Sequence, residues 1–324
     1  MNQDPASTNP SFWQGKRVVV TGGGGFLGRA VMRLLEPLEP ELSVPGSSGY
    51  DLRDPAAARE ALDGAEVVIH LAARVGGIGF NLRNPAPLAY DNLMMGSNVF
   101  EQSRSAGVQK LVAACSVCGY PKFTAVPFSE DEIWNGYPEE SNAPYGLAKR
   151  MLIVLSDAYR RQYGFDSCVP VIANLYGPYD NFDLENSHVI AAMIRKFVEA
   201  AERGDPEVTL WGTGKPTREF LYVDDAARAL ILMAERCDSS EPVNIGTGIE
   251  TPIRELAELI AKEAGFEGRL VWDTSRPDGQ PRRALDVSRA AERFGFKAEV
   301  PLEQGIRETV AFYRARLSAP SARS

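Results

Sequence analysis

The chain has 324 residues, of which 44% are hydrophobic and 24% charged, and a net charge of −8. These values suit a soluble globular protein of one large or two modest domains, and with no long basic run they argue against nucleic acid or an anionic membrane as the main partner. Four cysteines (115, 118, 168 and 237) are too few for a disulfide scaffold, and no apolar segment reaches transmembrane length. Residues 1–15 have no signal-peptide core and read as a flexible leader, and 318–324 as a disordered tail, so a cytoplasmic, reducing setting is expected. Next, Arg17-Val-Val-Val-Thr21, Glu66-Val-Val-Ile-His70 and Lys110-Leu-Val-Ala-Ala114 predict buried strands. Helices are expected between and after them at about 26–36, 54–63, 86–106 and 143–163. Apolar strands alternating with helices predict an α/β fold, a Rossmann-like doubly wound parallel sheet. A fifth strand is expected over 168–174, ending at the turn Tyr176-Gly-Pro178.

The rhythm then changes. A polar loop over 181–187 precedes a helix near 188–203 and the strand Val208-Thr-Leu-Trp211. A short strand in 218–223 runs into a helix over 224–236, and 250–315 mixes short helices with a Pro-rich stretch at 275–283. The pattern predicts a dinucleotide-binding domain over 1–178. A smaller mixed α/β substrate domain would cover 179–324, with about 219–247 returning to the first domain.

Thr21-Gly-Gly-Gly-Gly-Phe-Leu-Gly28 lies between the first strand and first helix, where a dinucleotide pyrophosphate meets helix N-terminal amides. It fits two spacings, Gly22-x-x-Gly25-x-x-Gly28 and Gly23-x-Gly25-x-x-Gly28. Phe26 and Leu27 complete the loop, and Asp51-Leu52 is placed to line an adenine pocket. The segment from Val44 to Gly49 offers neither the acidic residue that reads an NAD ribose nor an Arg for a 2′-phosphate. Ser47 and Ser48 could hydrogen-bond a phosphate without supplying charge.

Tyr145 and Lys149 stand at i and i+4 on one helix face. The ammonium is expected to lower the phenol pKa and make Tyr145 a proton donor near neutrality, which suits reduction of a carbonyl. Ser116, after the fourth strand, could reach the same carbonyl.

The glycine loop, Ser116, Tyr145 and Lys149 together resemble an extended short-chain dehydrogenase/reductase. Further blocks are similar to the GDP-L-fucose synthase family: Ala72-Ala-Arg-Val-Gly-Gly-Ile78, Cys118-Gly-Tyr-Pro-Lys122, Asn142-Ala-Pro-Tyr-Gly-Leu-Ala-Lys149 and Asn174-Leu-Tyr-Gly-Pro178. Asp180-Asn-Phe182, Asn186-Ser-His-Val-Ile190, Trp211-Gly-Thr-Gly214, Arg218-Glu-Phe-Leu-Tyr-Val-Asp-Asp225 and Pro277-Asp-Gly279 continue the resemblance in order. It implies 3,5-epimerisation and 4-reduction of GDP-4-keto-6-deoxy-D-mannose with NADP(H), NAD(H) staying open, in a homodimer formed through helices 86–106 and 143–163. By the same resemblance Cys118 and His188 are the epimerising base and acid, and Lys149 contacts the nicotinamide ribose. Ala72, Asn174, Leu175 and His188 line the cofactor, while Asn174, Lys196, Trp211, Arg218 and Asp278 bind the nucleotide sugar.

Plainer readings stand beside these. Cys115-x-x-Cys118 has no second pair or His cluster, so no metal is expected, and Cys115 reads as a buried strand residue. His70 reads as a core histidine, Trp211 admits a packing role, and Arg282-Arg283 reads as a solvated pair or a phosphate contact. The family's basic residue in the loop or after the second strand is replaced by Gly24 and the Ser47-Ser48 region. Its Pro-Thr before Asn174 is Ile172-Ala173 here, and Lys196 stands where an Arg is usual. Rival readings are an enzyme of this fold acting on another 4-keto sugar nucleotide, a 4-epimerase retaining NAD, or a non-catalytic Rossmann binding module.

Overall fold

A strand covered on both faces can be apolar throughout, and the β-branched runs of the first half do form the middle of a parallel sheet. The computed structural model describes residues 8–184, 187–276 and 278–318. The first elements are α1 (Pro10–Trp13), β1 (Arg17–Thr21), α2 (Phe26–Leu35), β2 (Glu41–Ser43), α3 (Pro55–Ala61) and β3 (Val67–His70). They continue as α4 (Ile78–Arg83), α5 (Pro85–Ser105), β4 (Lys110–Ala113), β5 (Cys115–Ser116) and α6 (Ala143–Tyr163). Next come β6 (Ser167–Cys168), β7 (Pro170–Ile172), β8 (Asn174–Tyr176), α7 (Val189–Arg203), β9 (Glu207–Trp211), β10 (Thr217–Arg218) and β11 (Phe220–Tyr222). The chain closes with α8 (Val223–Arg236), β12 (Val243–Ile245), β13 (Thr251–Pro252), α9 (Ile253–Glu263), β14 (Arg269–Asp273), α10 (Ser288–Phe294) and α11 (Leu302–Ser318).

The main sheet has the order β2-β1-β3-β4-β6 and is parallel throughout, with Val19 opposite Val68 and Val68 opposite Leu111. This is the expected Rossmann-like architecture. The strand expected over 168–174 is instead three short strands with different partners: β6 on β4, β7 between β5 and β12, and β8 on β11. Pro170 has no N–H for a continuous ladder and opens the second piece. The partner switch carries the chain from the first core to the second.

The first core contains Val18, Ile69, Leu111 and Val171, joined by Leu230 of α8, Ile245 of β12 and Phe294 of α10. The second contains Ile194 and Phe197 of α7, Leu210, Leu256 and Ile260 of α9, and Ile306 of α11. The expected leader over 1–15 is corrected in its last part. Trp13 is fully buried and its Nε1 donates to Glu235 Oε1 at 2.6 Å, beside the Asn9 N–H at 3.0 Å. Removing so large an aromatic surface from water anchors this segment. The remainder of the leader (1–7), the tail 319–324, Asn186 and Pro277 lie outside the described residues. Among the described residues no helix is long and apolar enough to cross a membrane.

Candidate active site

The glycine loop closes on itself between β1 and α2. Gly22 has φ +75°, and a Cβ there would lie 2.8 Å from the Ala72 backbone N. A Cβ on Gly28 would collide with the Gly22 carbonyl, whose oxygen also accepts the Gly25 N–H at 2.9 Å. A Cβ on Gly24 would meet nothing within 4 Å. A Cβ on Gly23 would in turn meet the Val44 side chain at 2.8 Å, so the loop is tight at the first glycine of both spacings open to the sequence, and Gly22 is the one with positive φ. Gly25 is the N-cap of α2, with no side-chain cap and no acidic residue in the first turn. Phe26 and Leu27 begin that helix, leaving its amides for an anion. This cradle fits a dinucleotide pyrophosphate.

The segment expected to face the adenosine is less complete. Ser47 and Ser48 are exposed in a turn closed by the Gly49 N–H on the Gly46 carbonyl at 3.0 Å. The Asp51 carboxyl is held at about 2 by hydrogen bonds from Arg53, which also bridges to Asp91. Leu52 is buried in the first core, and its carbonyl accepts Asn98 Nδ2 at 2.9 Å.

Ser116 ends β5; its Oγ accepts the Cys118 N–H at 3.3 Å and stands close enough to the Tyr145 hydroxyl to act on its pKa. Cys118 follows on a 3-10 turn (Val117–Gly119), and α6 presses directly on that turn. The approach needs Gly146, because a Cβ there would strike the Cys118 carbonyl. Arg150, one turn further on, donates from Nε to the Gly119 carbonyl at 2.9 Å and from Nη1 to the Gly136 carbonyl at 3.2 Å. Tyr120 is tied to buried Asn244 by a 2.7 Å hydrogen bond.

The expected influence of Lys149 on Tyr145 is corrected. Burial pushes the phenol pKa up, the Cys118 and Cys115 thiols act in the same direction, and the Ser116 hydroxyl pulls it down. Lys149 is buried too, and loss of hydration brings its ammonium down to about 8. Its charge acts instead on His70 and Cys115 at the strand ends. Tyr145 is thus a neutral phenol at physiological pH, the form that donates a proton. His70 is a core residue as expected, with Nδ1 2.8 Å from Thr21 Oγ1, and burial takes it to about 3. Cys115 is a buried free thiol pushed up to about 11.

His188 occupies the N-cap position of α7 without a side-chain cap hydrogen bond, its side chain 51% exposed. Its pKa is raised by Asp180, with burial opposing. The Cys118 Sγ lies 4.0 Å from Arg283 Nη1. Arg218 is brought down to about 10 by burial and by Arg283, against the pull of Asp278 and Cys118, so these four groups share one corner. Arg282 is turned away onto Glu250, with Nε at 2.9 Å. Asn174 donates to the Glu219 carbonyl at 2.9 Å, and Leu175 beside it is partly buried. Lys196 donates to the Thr209 carbonyl at 3.0 Å. Trp211 is 66% exposed beneath the Arg276 guanidinium, 5.0 Å from its ring centroid. Both Asp278 oxygens accept from Thr213, at 2.6 Å and 2.7 Å.

Three supporting groups escaped the sequence reading. Gly146 and Arg150 stand beside Tyr145 and Lys149 but carry no chemical signature of their own. Buried Glu219 accepts the N–H of Gly248 at 2.8 Å and of Leu285 at 2.6 Å, joining three loops behind Arg218.

The pattern of the NAD dependent epimerase/dehydratase family matches residues 18–246. A probable GDP-L-fucose synthase 1 of Oryza sativa subsp. japonica is 43% identical over 93% of this chain and 92% of its own length. The GDP-L-fucose synthase of Escherichia coli K12 is 40% identical over 92% and 96%. A crystal structure of a GDP-L-fucose synthetase from Naegleria fowleri bound to NADP superposes with a TM-score of 0.86 at 33% identity, covering 96% of each chain. The chain belongs to the NAD dependent epimerase/dehydratase family and, within it, to the group of the GDP-L-fucose synthases.

Proposed function

We propose that this protein is an NADPH-dependent 3,5-epimerase/4-reductase that converts GDP-4-keto-6-deoxy-D-mannose to GDP-L-fucose. The observation that supports it best is the single turn that sets the Ser116 hydroxyl on the Cys118 backbone N–H and within electrostatic reach of the Tyr145 phenol. Two donors for a carbonyl oxygen and a thiol for the neighbouring carbon then occupy one place.

A C4 ketone acidifies the protons on C3 and C5. Ser116 and Tyr145 hydrogen-bond the oxygen on which negative charge develops. The Cys118 thiolate takes a proton from one face of the sugar and becomes a thiol. The His188 imidazolium gives a proton to the same carbon from the other face and becomes neutral. Both reset through solvent before the second carbon reacts. NADPH, when bound, would supply the hydride for C4. The cradle of Gly22, Gly25, Phe26, Leu27 and Gly28 would hold its pyrophosphate, with Ala72, Lys149, Asn174, Leu175 and His188 toward the nicotinamide. Ser47, Ser48, Asp51 and Leu52 would face the adenosine end. Tyr145 then protonates the C4 alkoxide. Arg218 and Lys196 would take the diphosphate, and Trp211, Asn174 and Asp278 the base and sugar side.

In this reading residues 1–178 make the cofactor domain and 179–324 mainly the substrate domain, with about 219–247 returning to the former. The protein acts in the reducing cytoplasm as a homodimer. The outward residues Tyr90 and Leu93 of α5 and Met151 and Val154 of α6 are exposed apolar groups on two helices that pack together, and they supply the interface. Light scattering should give twice the chain mass, and a monomer at micromolar concentration would remove this part.

The deciding experiment supplies GDP-4-keto-6-deoxy-D-mannose in deuterated water with NADPH or NADH. Oxidation of NADPH with deuterium at both C3 and C5 is expected. Reduction without deuterium at either carbon would defeat the epimerase assignment. Cys118→Ser should suppress deuterium entry far more than reduction of the pre-epimerised ketone.

A further inference from the structure

The N-cap of a helix is an unfavourable place for a cation, because α7 presents the partial positive end of its backbone dipole there. His188 occupies that place. A second group reverses the balance. Asp180, on the turn after β8, is 4% exposed, and its Oδ1 stands 3.8 Å from His188 Nδ1. Oδ1 also accepts the Asn181 N–H at 2.7 Å, while buried Oδ2 has no hydrogen-bond partner among the described residues. An unpaired buried carboxylate oxygen opposes folding. Packing therefore does not account for an Asp at this position.

We propose that Asp180 is a positioning residue for His188, holding the ring through Nδ1 so that Nε2 is free toward the sugar and keeping the imidazolium as the proton donor of the epimerisation. The proposal rests on the reading of His188 as the epimerising acid. Among the described residues the charged side chains of the surrounding loop and of α7 are Asp180, Asp183, Arg195, Lys196, Glu199, Glu202 and Arg203. Arg195 bonds Glu199 and the Phe182 carbonyl, and Lys196 the Thr209 carbonyl. Asp180 is the charge that acts on the ring, raising its pKa against burial. The site thus sets an anion beside His188 and a cation, Arg283, beside Cys118. In the transfer, the Nε2–H bond breaks as the new C–H bond forms on the sugar. The neutral ring keeps its Nδ1 proton toward Asp180, and water reprotonates Nε2 at the half-exposed ring.

The chain has two histidines, and His70 is silent near neutrality because burial takes it to about 3. Ring titration of nitrogen-15 histidine-labelled protein therefore reports on His188 alone, and loss of the titrating signal in His188→Gln identifies it. A midpoint above about 6.5 is expected in the unaltered protein, and Asp180→Asn should lower it. Asp180→Asn should also slow deuterium entry at C3 and C5 about tenfold and move the alkaline limb of its pH profile down together with the midpoint. A midpoint at or below about 6.5 in the unaltered protein overturns the proposal without any variant. So does an unchanged midpoint in Asp180→Asn that melts like the parent. Absence of exchange in the parent would strike the functional reading instead, because the titration needs no substrate.

Discussion

The two groups of candidate site residues are held by different means. Around Ser116, Tyr145 and Lys149 the backbone does the positioning: β5 delivers the serine, α6 touches the Cys118 turn through Gly146, and Arg150 ties two carbonyls behind it. In the other group Trp211 and His188 stand at a strand end and a helix cap, each more than half exposed. The geometry proposed to handle the carbonyl is therefore an outcome of core packing. The groups proposed to face the sugar can be altered without disturbing a core.

The largest effect should come from the packed group. Tyr145→Phe keeps the ring and removes the donor, so the rate of NADPH oxidation should fall about 10²–10⁴-fold. A fall below tenfold would mean that another group gives the proton. Lys149→Met tests the same group through stability. The native ammonium loses its proton at about 8 and the unfolded one at about 10.5. Between those values the unfolded chain binds more protons, so stability rises with pH across that window. Below it the buried charge is a penalty. The Met variant should gain up to about 3 kcal/mol in urea unfolding near neutral pH, at about 1.4 kcal/mol per pKa unit, and lose the alkaline rise while reduction is abolished. A parent whose stability is flat from about pH 8 to 10 would refute the buried-ammonium account.

Gly146→Ala should cost about 1–3 kcal/mol by forcing α6 away from the Cys118 carbonyl, and deuterium exchange should fall with it. Unaltered exchange would show that the turn tolerates displacement. The smallest change in stability belongs to the exposed group. Trp211→Ala should melt within about 0.5 kcal/mol of the parent while the KM for the nucleotide sugar rises. A clear loss of stability would place Trp211 in the packing instead and weaken the contrast between the two groups.

Much of the fold was readable because its signals are local. Apolar runs at 17–21, 66–70 and 110–114 predict the central strands, and the helices over 26–35 and 143–163 follow their periodicity within a residue. The strand expected over 168–174 broke up because partner choice is non-local: a proline and two changes of neighbour divide it. The leader was misjudged for a similar reason, since Trp13 is anchored by Glu235, more than 200 residues away in the chain.

The sequence by itself determined the α/β class, the glycine loop, and Ser116, Tyr145 and Lys149 as candidates, because residue type and short spacing carry that chemistry, while Cys118 and His188 came from the family resemblance of its motifs. It could not show which glycine of the loop takes the positive φ. That is Gly22, where a Cβ would also meet the Ala72 backbone. Nor could it give the direction of the Tyr145 shift, which follows from how much water the fold removes from the phenol and the ammonium together. The pairing of His188 with Asp180 and of Cys118 with Arg283 came from tertiary structure alone. Electrostatic environment depends on distance and burial in space, and the linear chain encodes neither until the two cores have formed.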